Sequence, residues 1–324
     1  MQKITLSQAW VTKVTSDETA EDISVVWRKR SGLPTAEELS GIFVKLSDAD
    51  AVREMVRRKW FSPGAQSTDR RLSRGRALEN FLFPSGGIRA PVAAAAMYRR
   101  QTRQRDLVAD LATAAWLCRV ADKALAVRRH GRVAFDVGKL NTVTIQKLVR
   151  MSTRHSGPNE AIEFLRELGI NVVLESALPG MYTDGASFKL KGVGPVVALT
   201  LRYDRLDSFW FTLLHEVGHV IFHLSQRQDV VFIDSFDDEC EDLDESEAEA
   251  EANAFAKDAF VPRDAWVRSD ALRLGTEASI IALAKKCHIH PAVVAGRVRF
   301  EKRKYHAHSR LLGAGEVRGT LLNE

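Results

Sequence analysis

One helix-length stretch constrains this chain more than any other: Phe209-Trp-Phe-Thr-Leu-Leu-His215-Glu216-Val-Gly-His219-Val-Ile-Phe-His223. Its apolar residues Trp210, Leu213, Leu214, Val217, Val220, Ile221 and Leu224 recur at three- and four-residue spacing, the period of a helix that packs along one side. The spacing predicts a helix with His215 and His219 on a different face, stacked one above the other so that both imidazoles can reach one ion. Neutral imidazoles suit zinc. A carboxylate beside the first histidine, here Glu216, can take a proton from an activated water without being a ligand. Gly218 costs roughly 1 kcal/mol relative to Ala in a helix interior, so its presence predicts the close approach of another backbone. His223 lies two turns from His215, about 12 Å along the axis, which is too far to share the ion. By residue type, His223, Tyr182 and Tyr203 are the candidates for stabilising charge in the transition state.

A zinc hydrolase site usually has three protein ligands and keeps one position for water. Downstream, Glu245-Ser-Glu247-Ala-Glu249-Ala-Glu251-Ala-Asn253-Ala-Phe255-Ala reads as an alanine-rich helix on which glutamates two apart cannot all face one way. Glu249 and Asn253 share a face, which suits a metal ligand and a hydrogen-bond partner for a ligand histidine; Glu245 lies on the same stripe one turn earlier. Glu247 and Glu251 are expected to be solvated. The preceding run is acidic without a basic residue from Asp234 to Glu247, and five of its carboxylates, Asp237, Asp238, Glu239, Glu241 and Asp242, could steer a basic partner toward the cleft.

These residues resemble a known family. The segment 209–223, Glu249-Ala-Glu-Ala-Asn-Ala-Phe-Ala and Phe260-Val-Pro262 are similar to the ImmA/IrrE metallo-endopeptidases. The resemblance covers roughly residues 50 to 305. It is weaker upstream, through Trp116-Leu117 and 169–202, where it is to longer members that carry an antitoxin-like DNA-binding region. Too few residues precede it here for a full helix-turn-helix domain. The resemblance implies Zn2+ held by His215, His219 and Glu249, Glu216 as general base, and a substrate that is typically a helix-turn-helix repressor. The other function class left open is a DNA-binding or antitoxin-like regulator that uses the metallopeptidase domain as sensor or scaffold.

The expected fold is α+β: a mostly helical N-terminal region, then a zincin-like domain with a small sheet and the His-Glu-x-x-His helix. The expected divisions are a basic helical region over 1–85 with features of a degenerate helix-turn-helix, a helical region over 86–155, the metallopeptidase domain over 156–305 and a tail over 306–324. Thr35-Ala-Glu-Glu38 is a capping box that predicts a helix start. A long helix containing Trp116 is expected to begin after Asp106, and helices over 138–152 and 159–168 follow. The segments 170–174, 188–191 and 196–201 read as strands, the last two a hairpin about Gly192-Val-Gly-Pro195. Helices over 276–286 and 291–302 have helix-turn-helix spacing, and packing against the catalytic domain accounts for them more economically than DNA binding does.

Charge separates the two halves. Residues 1–160 carry a net +12 and residues 161–324 a net −7. Clusters at Arg28-Lys29-Arg30, Arg57-Arg58-Lys59, Arg70 to Arg76 and Arg99 to Arg105 would allow weak, salt-sensitive nucleic-acid binding. Three scattered cysteines, Cys118, Cys240 and Cys287, argue against a disulfide framework. With no apolar run near 18 residues and no apolar signal core, no membrane partner and a cytoplasmic location are expected.

Overall fold

The computed structural model describes residues 43–63, 69–82, 107–127, 133–225, 231–234 and 247–321. These residues divide into two compact units, one from Met1–Ala121 with Leu178–Met181 and the other from Asp122–Ala177 with Tyr182–Glu324. The expected break at 85/86, the Thr35 capping box, the Asp106 cap, the clusters at 28–30 and 99–105, Cys240 and the acidic residues 237–242 lie outside the described residues.

In the first unit, helices α1 (Asp50–Arg57) and α2 (Arg70–Leu82) precede α3 (Leu107–Val127), whose residues from Asp122 onward fall in the second unit. Trp60 and Phe61 close on Phe81 with ring centres 6.2 and 5.6 Å apart. Around this apolar contact the arginines find local carboxylates. Asp48 accepts from Arg71 Nε (2.5 Å) and Arg74 Nη1 (2.8 Å). Glu54 accepts from Arg57 and Arg58, whose hydrogen bonds lower its pKa to about 2. Four arginines of the basic clusters therefore hold the unit's own acids.

The second unit contains α4 (Thr142–Arg150), α5 (Gly157–Glu167), β1 (Asn171–Leu174), β2 (Gly185–Leu190), β3 (Gly194–Leu199), α6 (Leu206–His219) and β4 (Val231–Asp234). The helices α7 (Glu247–Phe260), α8 (Arg263–Val267), α9 (Asp270–Arg273), α10 (Glu277–Cys287), α11 (Pro291–Glu301) and α12 (Glu316–Leu321) follow. The strand order is β1-β3-β2-β4: β1 runs parallel to β3, and β2 is antiparallel to both β3 and β4. The expected hairpin is present, its turn using positive φ at Gly192 (76°) and Gly194 (105°), where a Cβ would be strained. Every residue of β3 is buried, as in a strand covered on both faces.

One apolar core joins Ile145 and Leu148 of α4, Leu165 of α5, Trp210 and Leu214 of α6, Val294 and Val298 of α11, and Val317 of α12. The expected breaks at 155/156 and 305/306 therefore fall inside this unit. The C-terminal segment is anchored rather than trailing: Asp204 Oδ1 accepts from the amides of Val317 (3.0 Å) and Arg318 (2.8 Å), and Arg318 Nη2 donates to Leu201 O (2.8 Å).

The α10–α11 pair packs into this core. Ala292, Val293, Val294, Ala295 and Val298 of α11 are buried, and an added Cβ on Gly296 would stand 2.9 Å from Asp207 of α6. Arg297 donates to the carbonyls of Lys257 and Val261, both at 3.0 Å, and stacks on Trp266. Arg297 thus joins α11 to α7 and α8. Two histidines cap these helices: His288 closes α10 at φ 55°, and His290 Nδ1 accepts from Ala292 N at the start of α11. Among the described residues no helix is long and apolar enough to cross a membrane.

Candidate metal centre

Helix α6 brings the sequence motif into the interior. His215, Glu216 and His219 are all fully buried, together with Trp210, Leu213, Leu214 and Val217. The face that carries the histidines is covered as well, by the sheet and by the crossing α7. Gly218 makes that crossing possible: a Cβ there would lie 3.3 Å from Ala252 Cα and 3.1 Å from Phe255 Cδ1 of α7. After His219 the helix widens into a π turn over Val220–Leu224, which the apolar spacing did not predict.

The close crossing lays three α7 side chains along α6. Glu249 Oε2 stands 3.3 Å from both His215 Nε2 and His219 Nε2, and these two nitrogens are 3.0 Å apart. These three residues form the group of metal-binding type found among the described residues. His215 Nδ1 lies 3.0 Å from Asn253 Oδ1, which can only accept, so the ring proton sits on Nδ1 and Nε2 presents a lone pair. Two imidazole nitrogens and a carboxylate oxygen then converge. Without a cation such a convergence is repulsive. Donors on arms of about 2.0–2.1 Å in a tetrahedral arrangement stand roughly 3.3 Å apart, close to the separations here, so the residues fit a metal ion.

The Glu216 carboxylate meets strand β2. A Cβ added to Gly185 would lie 2.3 Å from Glu216 Oε1 and 2.8 Å from Thr212 Cγ2. Only glycine leaves room for the carboxylate, and sequence reasoning missed this residue. Its one local signal was the Asp184-Gly185 pair at a strand start, which reads as a turn. Also missed was Phe232 of β4, which stacks on the His219 ring at 4.2 Å and 13°. Nothing in Val231-Phe-Ile-Asp234 alone distinguishes that role.

The remaining candidates, Tyr182, Tyr203 and His223, are not among the three converging donors. Tyr203 OH accepts from Arg202 Nη2 at 2.5 Å, and both Tyr203 and the half-exposed Tyr182 face the Arg202 guanidinium. His223 Nδ1 lies 3.2 Å from His219 Nδ1, on the side of that ring away from Glu249. Glu247 is exposed as expected. Glu251 is exposed too, as expected, and its Oε2 lies 3.0 Å from His223 Nε2. The crossing angle, invisible in the sequence of α7, carries it there. Cys118 is buried; burial pushes the Cys287 thiol pKa up.

Residues 165–298 match a family model described as an IrrE N-terminal-like domain. The match spans β1 to α11 and so includes every residue of the cluster. A comparison with curated proteins finds no matching relative.

Proposed function

Since residues 165–298 form an IrrE N-terminal-like domain of the ImmA/IrrE metallopeptidase family, we propose that the chain is a zinc-dependent endopeptidase acting on a protein, in particular on a basic helix-turn-helix repressor. The observation that carries the reading is the convergence of His215 Nε2, His219 Nε2 and Glu249 Oε2 beside a buried Glu216. When bound, zinc supplies a Lewis acid that polarises the scissile carbonyl and acidifies water. His215, His219 and Glu249 would hold it. Glu216, kept against β2 by the space at Gly185, accepts the proton of the attacking water and returns it to the leaving amine. Among the described residues β4 is an outer strand of the sheet, and its Phe232 touches the ring of His219. An extended segment of substrate adding to that edge would pass the centre.

The test has two parts. Purified protein should carry about one zinc per chain, and it should cleave a helix-turn-helix repressor encoded next to its own gene, with a chelator stopping the reaction. Zinc without cleavage of any repressor would remove the substrate assignment. Absence of zinc would remove the enzyme.

A further inference from the structure

The two histidines of the centre are held from behind by different chemistry. Behind His215 is the neutral amide oxygen of Asn253 at 3.0 Å. Behind His219 is a second imidazole, His223, and behind that a carboxylate, Glu251, at 3.2 and 3.0 Å. Reserving His219 Nε2 for an ion leaves one arrangement of protons that satisfies every contact. His219 Nδ1–H donates to His223 Nδ1, and His223 Nε2–H donates to Glu251 Oε2. The chain runs outward, from a side chain of no exposure through one of 12% to one of 55%.

Packing holds this arrangement. The π turn follows His219 directly and contains His223. Phe232 covers both rings, stacked on His219 at 4.2 Å and tilted against His223 at 5.1 Å. The stack sets the plane of the His219 ring, and the contacts at His223 Nδ1 and Glu251 Oε2 select the edges that the two rings present. Glu251 comes from the same first turns of α7 as Glu249, so one helix supplies both an inner donor and the outer end of the chain.

We propose that His223 and Glu251 are positioning residues of the metal centre. Together they fix the tautomer and plane of His219, and the charge of Glu251, transmitted through His223, makes His219 Nε2 a stronger donor than it would be alone. The proposal rests on the zinc centre and deepens it, assigning a task to an acidic residue on the exposed face of α7. The competing account is an ordinary surface ion pair, which would leave metal binding untouched.

The experiment uses the full chain. Zinc affinity is measured by competition with a chromophoric chelator, and the visible absorption of the cobalt(II)-substituted protein reports the geometry of the donors. His223→Phe keeps the ring against Phe232 and removes both nitrogens; Glu251→Ala removes the carboxylate at an exposed helical position where Ala is well tolerated. Both should weaken zinc binding about 10- to 100-fold and shift the cobalt band, with the apo-protein Tm of Glu251→Ala unchanged. Glu251→Gln, which keeps an acceptor oxygen, should lose less, and the exposed Glu247→Gln should match wild type. Wild-type affinity and spectrum in both His223→Phe and Glu251→Ala would overturn the proposal, as would an equal loss in Glu247→Gln. A wild-type protein that takes up no zinc would instead sink the centre itself.

Discussion

Helices α6 and α7 face each other across the candidate centre and are built on opposite plans. On α6 the functional groups are fully buried, locked by a core that includes Trp210, Leu213 and Leu214. On α7 they are graded: Glu249 is 19% exposed in its side chain, Asn253 is half-buried and Glu251 is 55% exposed. The difference teaches where tolerance should lie. A buried group that has one geometry cannot be replaced without loss, whereas groups toward the rim act through others and lose less. Variants on α6 should therefore be all-or-none and those on α7 stepwise.

The largest effect should come from Glu216→Gln. Removing a general base costs about 10²- to 10⁴-fold in kcat/KM, and since Glu216 is not among the three converging donors, zinc content should stay at wild-type level. Full activity in this variant would break the contrast at its strong end. Glu249→Gln comes next. As an inner donor it should cost zinc affinity more than the roughly 10- to 100-fold typical of an outer partner, while Glu247→Gln two residues away costs nothing measurable. Equal chelator-competition curves for the two would show that the stripe of α7 facing the metal has been misassigned.

Gly185→Ala probes the plan of α6 from the strand it meets. The new methyl would have to occupy space 2.3 Å from Glu216 Oε1, so the carboxylate must shift. A displacement near 1 Å can cost about 10²-fold in rate, and the loss should appear in kcat while zinc affinity holds. Undiminished kcat would mean that the Glu216 position is not what β2 sets.

How much of this was legible in sequence follows from the range over which each signal acts. The His215–His219 spacing, the Glu249–Asn253 spacing, the hairpin at Gly192 and the helix beginning at Thr276 are local, and the structure shows each arrangement. Gly218 announced a close contact, but its partner, Ala252, came from 34 residues downstream and could not be named. Gly185, Phe232 and Glu251 depend wholly on tertiary placement, the first on strand register against α6, the second on β4 pairing with β2, the third on a helix crossing. The π turn was hidden because a residue gained in one turn leaves the apolar spacing nearly intact. The C-terminal segment reads as a tail since the groups that anchor it, Asp204 and the carbonyl of Leu201 among them, lie more than a hundred residues earlier.

The smallest expected effect sharpens the contrast at α7's inner end. Asn253 Oδ1 accepts from His215 Nδ1 at 3.0 Å and adds no charge. Asn253→Asp keeps an acceptor in place and adds a charge, so His215 stays in the same tautomer and zinc affinity should be equal to or above wild type. Asn253→Ala removes the acceptor and leaves the buried Nδ1–H of His215 without it, which should lower zinc affinity about tenfold, the low end for an outer partner. Chelator competition on the two variants measures what the acceptor contributes. If Asn253→Ala binds zinc as tightly as wild type, the amide does not aim the ring, and α7 would then act on α6 through Glu249 and the His223 chain alone.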